Sequence, residues 1–134
     1  MLVAVGNERM KRTIETDDAP AAVGAYSQAT ATDDLVFTAG QIPLTPDGDL
    51  LDEADIDVQT QQALENVQAV LAEAGANMDD VLKVTVYVED IDDFEAMNAA
   101  YETFFEESPP ARSAVEVAAL PKGVGVEIEA VAAL

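Results

Sequence analysis

The sequence predicts an α+β domain: a mixed β-sheet with two helices on one of its faces. Three observations carry that expectation. The 134 residues suffice for one core and require no second domain. Six short stretches have the apolar alternation or β-branched content of strands, whereas two carry apolar residues at spacings of three and four. Those helical stretches stand between strands, which implies crossover connections and a partly parallel sheet.

Residues 1–9 read as an extension ahead of Met10-Lys11-Arg12, leaving 10–134 as the domain. From Thr13 a short strand runs into a turn around Asp17 to Pro20, followed by strands near Tyr26 to Ala31 and Leu35 to Ala39. Gly40 and Pro43 end the last of these. Residues 45–57 form a loop with turn chemistry at Pro46-Asp47-Gly48; its acids lack the glycine spacing of a calcium loop. The first helix spans about Val58 to Ala74 through Leu64, Val67, Val70 and Leu71, with Asp57 as cap and Gly75 as stop. A strand at Val81 to Val88 precedes a second helix from Asp93 to Phe105. Asp92 and Glu95 are spaced there as a capping box, and Phe94, Met97, Tyr101 and Phe104 form one stripe. Ser113 to Ala118 and Gly125 to Ala132 complete the strands.

Two helices cover one face of such a sheet. Val81, Tyr87, Val36 and Thr38 are too apolar to leave the other in water, which predicts a homo-oligomer burying it between subunits.

Against 27 acidic residues stand 6 basic ones, a formal charge of −21. Such a field repels phosphate backbones and anionic membranes, so neither nucleic acid nor a membrane is an expected partner. The same acid excess reads as adaptation to a salt-rich cytosol. The chain has no cysteine and no histidine, which removes disulfides, thiolate nucleophiles, Cys/His zinc sites and the Ser-His-Asp triad. Proton transfer falls to Asp, Glu, Lys, Tyr or water. Met1 to Gly6 is too short for a signal peptide and no run approaches a membrane span, which points to a cytoplasmic protein.

Arg112 is the one arginine beyond residue 12 and stands in the run Pro109-Pro110-Ala111-Arg112-Ser113, ahead of an alternating strand pattern. A guanidinium grips a carboxylate through two parallel hydrogen bonds, so a small anionic ligand and an internal salt bridge are both open readings. Alternation puts Arg112, Ala114 and Glu116 on one face, and Glu127 and Glu129 together on one face of the last strand. If those strands are neighbours, a carboxylate reaches the guanidinium. Asn98 lies on the inward stripe of the second helix and needs a partner, either a helix-to-loop bond or a ligand. Tyr26 sits among small residues at a bend. Lys83 reads as a half-solvated strand lysine and Lys122 as a turn residue, although a buried lysine can form Schiff bases.

Four stretches together resemble the reactive intermediate deaminase family, also called RidA or YjgF. They are Gly24-Ala25-Tyr26-Ser27-Gln28-Ala29, Ala39-Gly40-Gln41-Ile42-Pro43, Asn98-Ala99-Ala100-Tyr101-Glu102-Thr103-Phe104-Phe105, and Pro110-Ala111-Arg112-Ser113-Ala114-Val115-Glu116-Val117 with Leu120-Pro121-Lys122. The likeness runs from about Met10 to the C-terminus. It implies a chorismate-mutase-like fold and a homotrimer with sites between subunits. The implied reaction is hydrolysis of enamine/imine intermediates such as 2-aminoacrylate, 2-iminopropanoate and 2-iminobutanoate to 2-keto acids and ammonia, with no metal or cofactor. By position Arg112 matches the substrate-carboxylate anchor and Glu127 the residue that orients or activates water. Tyr26, Gly40 and Asn98 match pocket residues. Ala114 stands where many members carry cysteine, which alters the pocket's size, and the connection from Phe105 to Pro110 is short. Two competing functions are non-catalytic binding of 2-keto acids and a chaperone-like holding role; ribonuclease activity suits the charge and the lack of histidine poorly.

Overall fold

The structure, a computed structural model, describes residues 10–134; the expected extension lies outside the described residues. Among these, six strands form one sheet: β1 (Arg12–Ile14), β2 (Ala29–Ala31), β3 (Leu35–Thr38), β4 (Val81–Val88), β5 (Ala111–Glu116) and β6 (Val126–Ala133). Their order is β1-β2-β3-β6-β4-β5. Every neighbouring pair is antiparallel except β4 with β5. A parallel pair demands a crossover, and α2 (Phe94–Glu102) supplies it. The longer α1 (Ile56–Ala74) connects β3 to β4.

Both helices lie on one face, as expected. Leu64, Val67, Val70 and Leu71 of α1 and Met97 of α2 meet Val36, Val84, Val86, Val126 and Ile128 in one buried cluster. Each of these side chains contributes about 1.5 to 3 kcal/mol by leaving water, far more than the caps discussed next. No helix among the described residues is long and apolar enough to cross a membrane.

The helix ends partly depart from expectation. Gly75 stops α1 with φ of 99°, its N–H donating to the Ala72 and Leu71 carbonyls. Asp55, not Asp57, holds the cap position. The helix therefore starts at Ile56, and Asp57 accepts the Val58 N–H at 2.9 Å inside the first turn. The Asp92/Glu95 box does not form. Instead Asp90 accepts the Asp92 N–H in a 3-10 turn, Ile91–Asp93, that leads into α2. A capping box does form between Asn77 and Asp80, ahead of β4. The second helix ends at Glu102, short of Phe105, whose ring folds back to 4.8 Å from that of Tyr101.

The face away from the helices also needs correcting. Val36 and Val81 belong to the buried side. A register shift between Val81 and Lys83 sends those two residues to opposite faces. Thr38 spends its hydroxyl on the Ala130 N–H at 3.0 Å, tying β3 to β6. Tyr87 does lie on the uncovered face, where its apolar company is Leu35, Phe37, Val115 and Val131, with Phe37 46% and Val115 42% exposed. That is still an apolar surface on which water gains little.

Candidate functional site

Arg112 enters β5 just after Pro109-Pro110, whose rings fix φ at about −65° and suit the start of a strand. Opposite Val84 in the parallel register, it projects toward α2. There its Nη1 donates to Asn98 Oδ1 at 2.7 Å. The guanidinium carbon sits 4.6 Å from the centroid of the Tyr101 ring and 5.4 Å from that of Phe94. A cation over an aromatic face gains about 0.5 to 2 kcal/mol, enough to set the side chain's direction. Its polar partner among the described residues is thus an amide, not a carboxylate, and the fork faces a groove bounded by Tyr101, Phe105, Pro109 and Pro110. Asn98 turns out half-buried, and its Nδ2 donates to Glu102 Oε1 at 3.1 Å. Ala114, two residues on and on the same face, packs against the core.

The Tyr101 hydroxyl is buried without a hydrogen-bond partner. Burial pushes its pKa up while the Arg112 charge pulls it down.

Glu127 lies elsewhere. Alternation along β6 puts Val126, Ile128 and Ala130 into the core and turns Glu127 and Glu129 to the uncovered face, as the sequence implied. Tyr87 stands directly across from Glu127 on β4. Burial raises the Glu127 carboxyl above the usual carboxylate range, and the charge of Glu129 raises it further. The Tyr87 phenol is raised by burial and then by Glu129 and Glu127. Gly40 explains itself here: a Cβ at that position would lie 2.8 Å from Glu127 Cδ and closer still to Oε2. Only a residue without a side chain lets the 39–41 backbone close over the carboxyl.

Gly40 and Glu127 share a cavity of about 730 Å³ with Tyr26, Pro20, Lys122 and Leu50. Tyr26 is 54% exposed and precedes β2 instead of opening it; its hydroxyl accepts the Val23 N–H at 3.3 Å. Buried Gln28 shapes this wall, accepting from the Thr16 N–H at 2.7 Å and donating to the Pro20 carbonyl at 2.8 Å. Lys122, read from sequence as a solvated turn residue, is exposed and also lines the cavity, with a left-handed φ of 57°.

The structure therefore joins Arg112 with Asn98, and Tyr26 and Gly40 with Glu127, but does not join the two groups within one chain. β4 separates β5 from β6, and Arg112 and Glu127 point to opposite faces of the sheet. The condition for a carboxylate to reach the guanidinium, that the two strands be neighbours, is therefore not met. Tyr101, Glu102 and Lys122 escaped the sequence reading as site residues. The spacing of four between Asn98 and Glu102 was the one available signal.

Comparison with known proteins places this geometry. Residues 16–134 match the family model described as Endoribonuclease L-PSP. A RutC family protein of Pyrococcus horikoshii is 50% identical over 123 residues, covering 92% of this chain and 98% of that protein. The 2-iminobutanoate/2-iminopropanoate deaminase of Escherichia coli K12 is 47% identical over 127 residues, with 92% and 98% covered. The crystal structure of the YjgF gene product from E. coli superposes with a TM-score of 0.87 at 46% identity, covering 91% of this chain and 98% of that one. That of E. coli TdcF with bound serine gives 0.87 at 42% identity, with 92% and 98% covered. The chain belongs to this Endoribonuclease L-PSP family, the YjgF/RidA family of the resemblance.

Proposed function

We propose that this chain hydrolyses reactive enamine/imine intermediates of 2-amino acids to 2-keto acids and ammonia. The site is completed in a homotrimer, where the Arg112 groove of one protomer faces Glu127 of the partner subunit. One observation carries the reading: the guanidinium is aimed by an amide and two rings and is left with donors for an anion. The named activity of the E. coli relative at 47% identity supports it. So does the uncovered apolar sheet face, which a partner subunit would bury.

The chemistry asks little of the protein. An imine carbon beside a carboxylate is already electrophilic; Arg112 holds the carboxylate, and water is placed against the carbon. Glu127 accepts a proton as the water oxygen bonds to that carbon. It then returns the proton to the nitrogen, giving the carbinolamine, and relays the hydroxyl proton to that nitrogen as the C–N bond breaks, leaving the ketone and ammonia. A carboxyl raised by burial suits both transfers better than an ordinary one. Gly40 keeps the carboxyl in place, and Asn98 and Tyr26 border the substrate.

The test is to generate 2-aminoacrylate enzymatically in high salt and time pyruvate and ammonia release with wild-type and Arg112→Ala protein, with light scattering on both. The expected result is acceleration by a wild-type trimer and its loss in the variant. A monomer, or acceleration that survives the substitution, refutes the proposal. Saturable keto-acid binding without ammonia release would instead establish the binder.

A further inference from the structure

We infer that Glu102 is a positioning residue for the anion site. Its carboxylate fixes the Asn98 amide in the one orientation that presents oxygen, not NH2, to Arg112. The inference rests on the proposal that Arg112 binds the substrate carboxylate.

A side-chain amide has two orientations of nearly the same shape, and its neighbours decide between them. If Asn98 offered its NH2 to the guanidinium, two donors would face each other and Nη1 would lose its partner. A carboxylate only accepts, so a carboxylate beside Nδ2 selects the productive orientation. The bonds run in that sense: Asn98 Nδ2 donates to Glu102 Oε1 at 3.1 Å, and Arg112 Nη1 donates to Asn98 Oδ1 at 2.7 Å. One turn of α2 sets the first bond, since residues four apart share a helix face.

The placement of Glu102 is otherwise unfavourable. It is the last residue of α2, where the carbonyl end of the helix opposes negative charge, and no basic residue occupies that turn. It also lines the groove that Arg112 faces, so its charge opposes an incoming anion. Repulsion and positioning thus predict opposite signs when the carboxylate is removed.

The experiment titrates 2-oxobutanoate, a stable 2-keto acid, into wild-type, Glu102→Ala and Glu102→Gln protein at fixed high salt. KM and kcat for ammonia release are measured alongside. Losing one hydrogen bond that orients the anchor should weaken keto-acid binding and raise KM in Glu102→Ala by roughly threefold to tenfold, with kcat unchanged. Glu102→Gln keeps an accepting Oε1 and should return affinity to within about twofold of wild type. Binding in Glu102→Ala as tight as in wild type, or tighter, overturns the inference, as does a Gln variant as weak as the Ala one. Wild-type protein that binds the keto acid but releases no ammonia sinks the deaminase reading and leaves the positioning role measurable. Wild-type protein that binds no carboxylate overturns both.

Discussion

The Arg112 groove and the Glu127 cavity sit on opposite faces of one sheet and are built by opposite means. The groove depends on side chains: an amide at 2.7 Å and two rings aim a cation. The cavity depends on backbone: the missing Cβ of Gly40 lets the main chain close over a carboxyl that burial and Glu129 hold above its usual range. One region binds and the other titrates. Within one chain the opposite faces keep Arg112 away from Glu127, so burial and Glu129 set the pKa of that carboxyl.

The sharpest break in the comparison comes from damaging each region alone. Charge-assisted hydrogen bonds contribute about 1.5 to 3 kcal/mol each, so Arg112→Ala should lower kcat/KM by roughly 10² to 10⁴. Arg112→Lys should recover little, because an ammonium cannot form the parallel pair. Glu127→Gln should lower kcat by about 10² or more with binding of 2-oxobutanoate nearly intact. A Glu127→Gln variant with unchanged kcat would remove its place in the reaction.

Gly40→Ala tests the cavity through its backbone. The added methyl and the Glu127 carboxyl require the same space, so one must move. A reacting group displaced by about 1 Å typically costs roughly 10²-fold. The loss should fall on kcat while keto-acid affinity at Arg112 holds. A loss confined to KM would mean that the glycine serves the anion instead.

A smaller effect isolates the electrostatics. If ionised Glu127 is the base, activity rises as pH climbs through its folded pKa, which lies above the ordinary value. Glu129→Gln removes a neighbouring negative charge that favours the protonated form, so that pKa falls. The acid limb of the kcat/KM profile should therefore move to lower pH. A limb that stays fixed, or moves up, would show that Glu129 does not act on the titrating group.

How much of this was legible follows residue by residue. The Gly75 stop was readable because few residues other than glycine adopt the left-handed turn it makes, and the shared face of Glu127 and Glu129 because period-two alternation leaves no choice. The α1 cap was not readable, since Asp52, Glu53, Asp55 and Asp57 crowd one loop and local chemistry does not rank them. Leu35-Val36-Phe37-Thr38 is apolar on both sides, so the sequence carries no sign for which side meets the helices. The separation of Arg112 from Glu127 is a matter of sheet order. A crossover places β5 at the edge beyond β4, and no local pattern encodes that. Resemblance carried residue roles across these gaps; geometry then showed which roles one chain can bring together.

The smallest expected effect concerns the floor beneath the guanidinium. The Tyr101 ring serves as a platform for Arg112, but its hydroxyl is buried and unpaired. An unsatisfied buried hydroxyl costs about 1 to 3 kcal/mol, whereas the ring alone supplies the stacking. Tyr101→Phe should therefore raise the thermal unfolding midpoint, by roughly 3 °C for each 1 kcal/mol in a chain of this size. If the hydroxyl has a hidden role as a hydrogen-bond partner in the assembled site, the substitution will lower the midpoint instead. In that case the groove shares the cavity's reliance on buried polar chemistry, and the contrast between the two regions narrows.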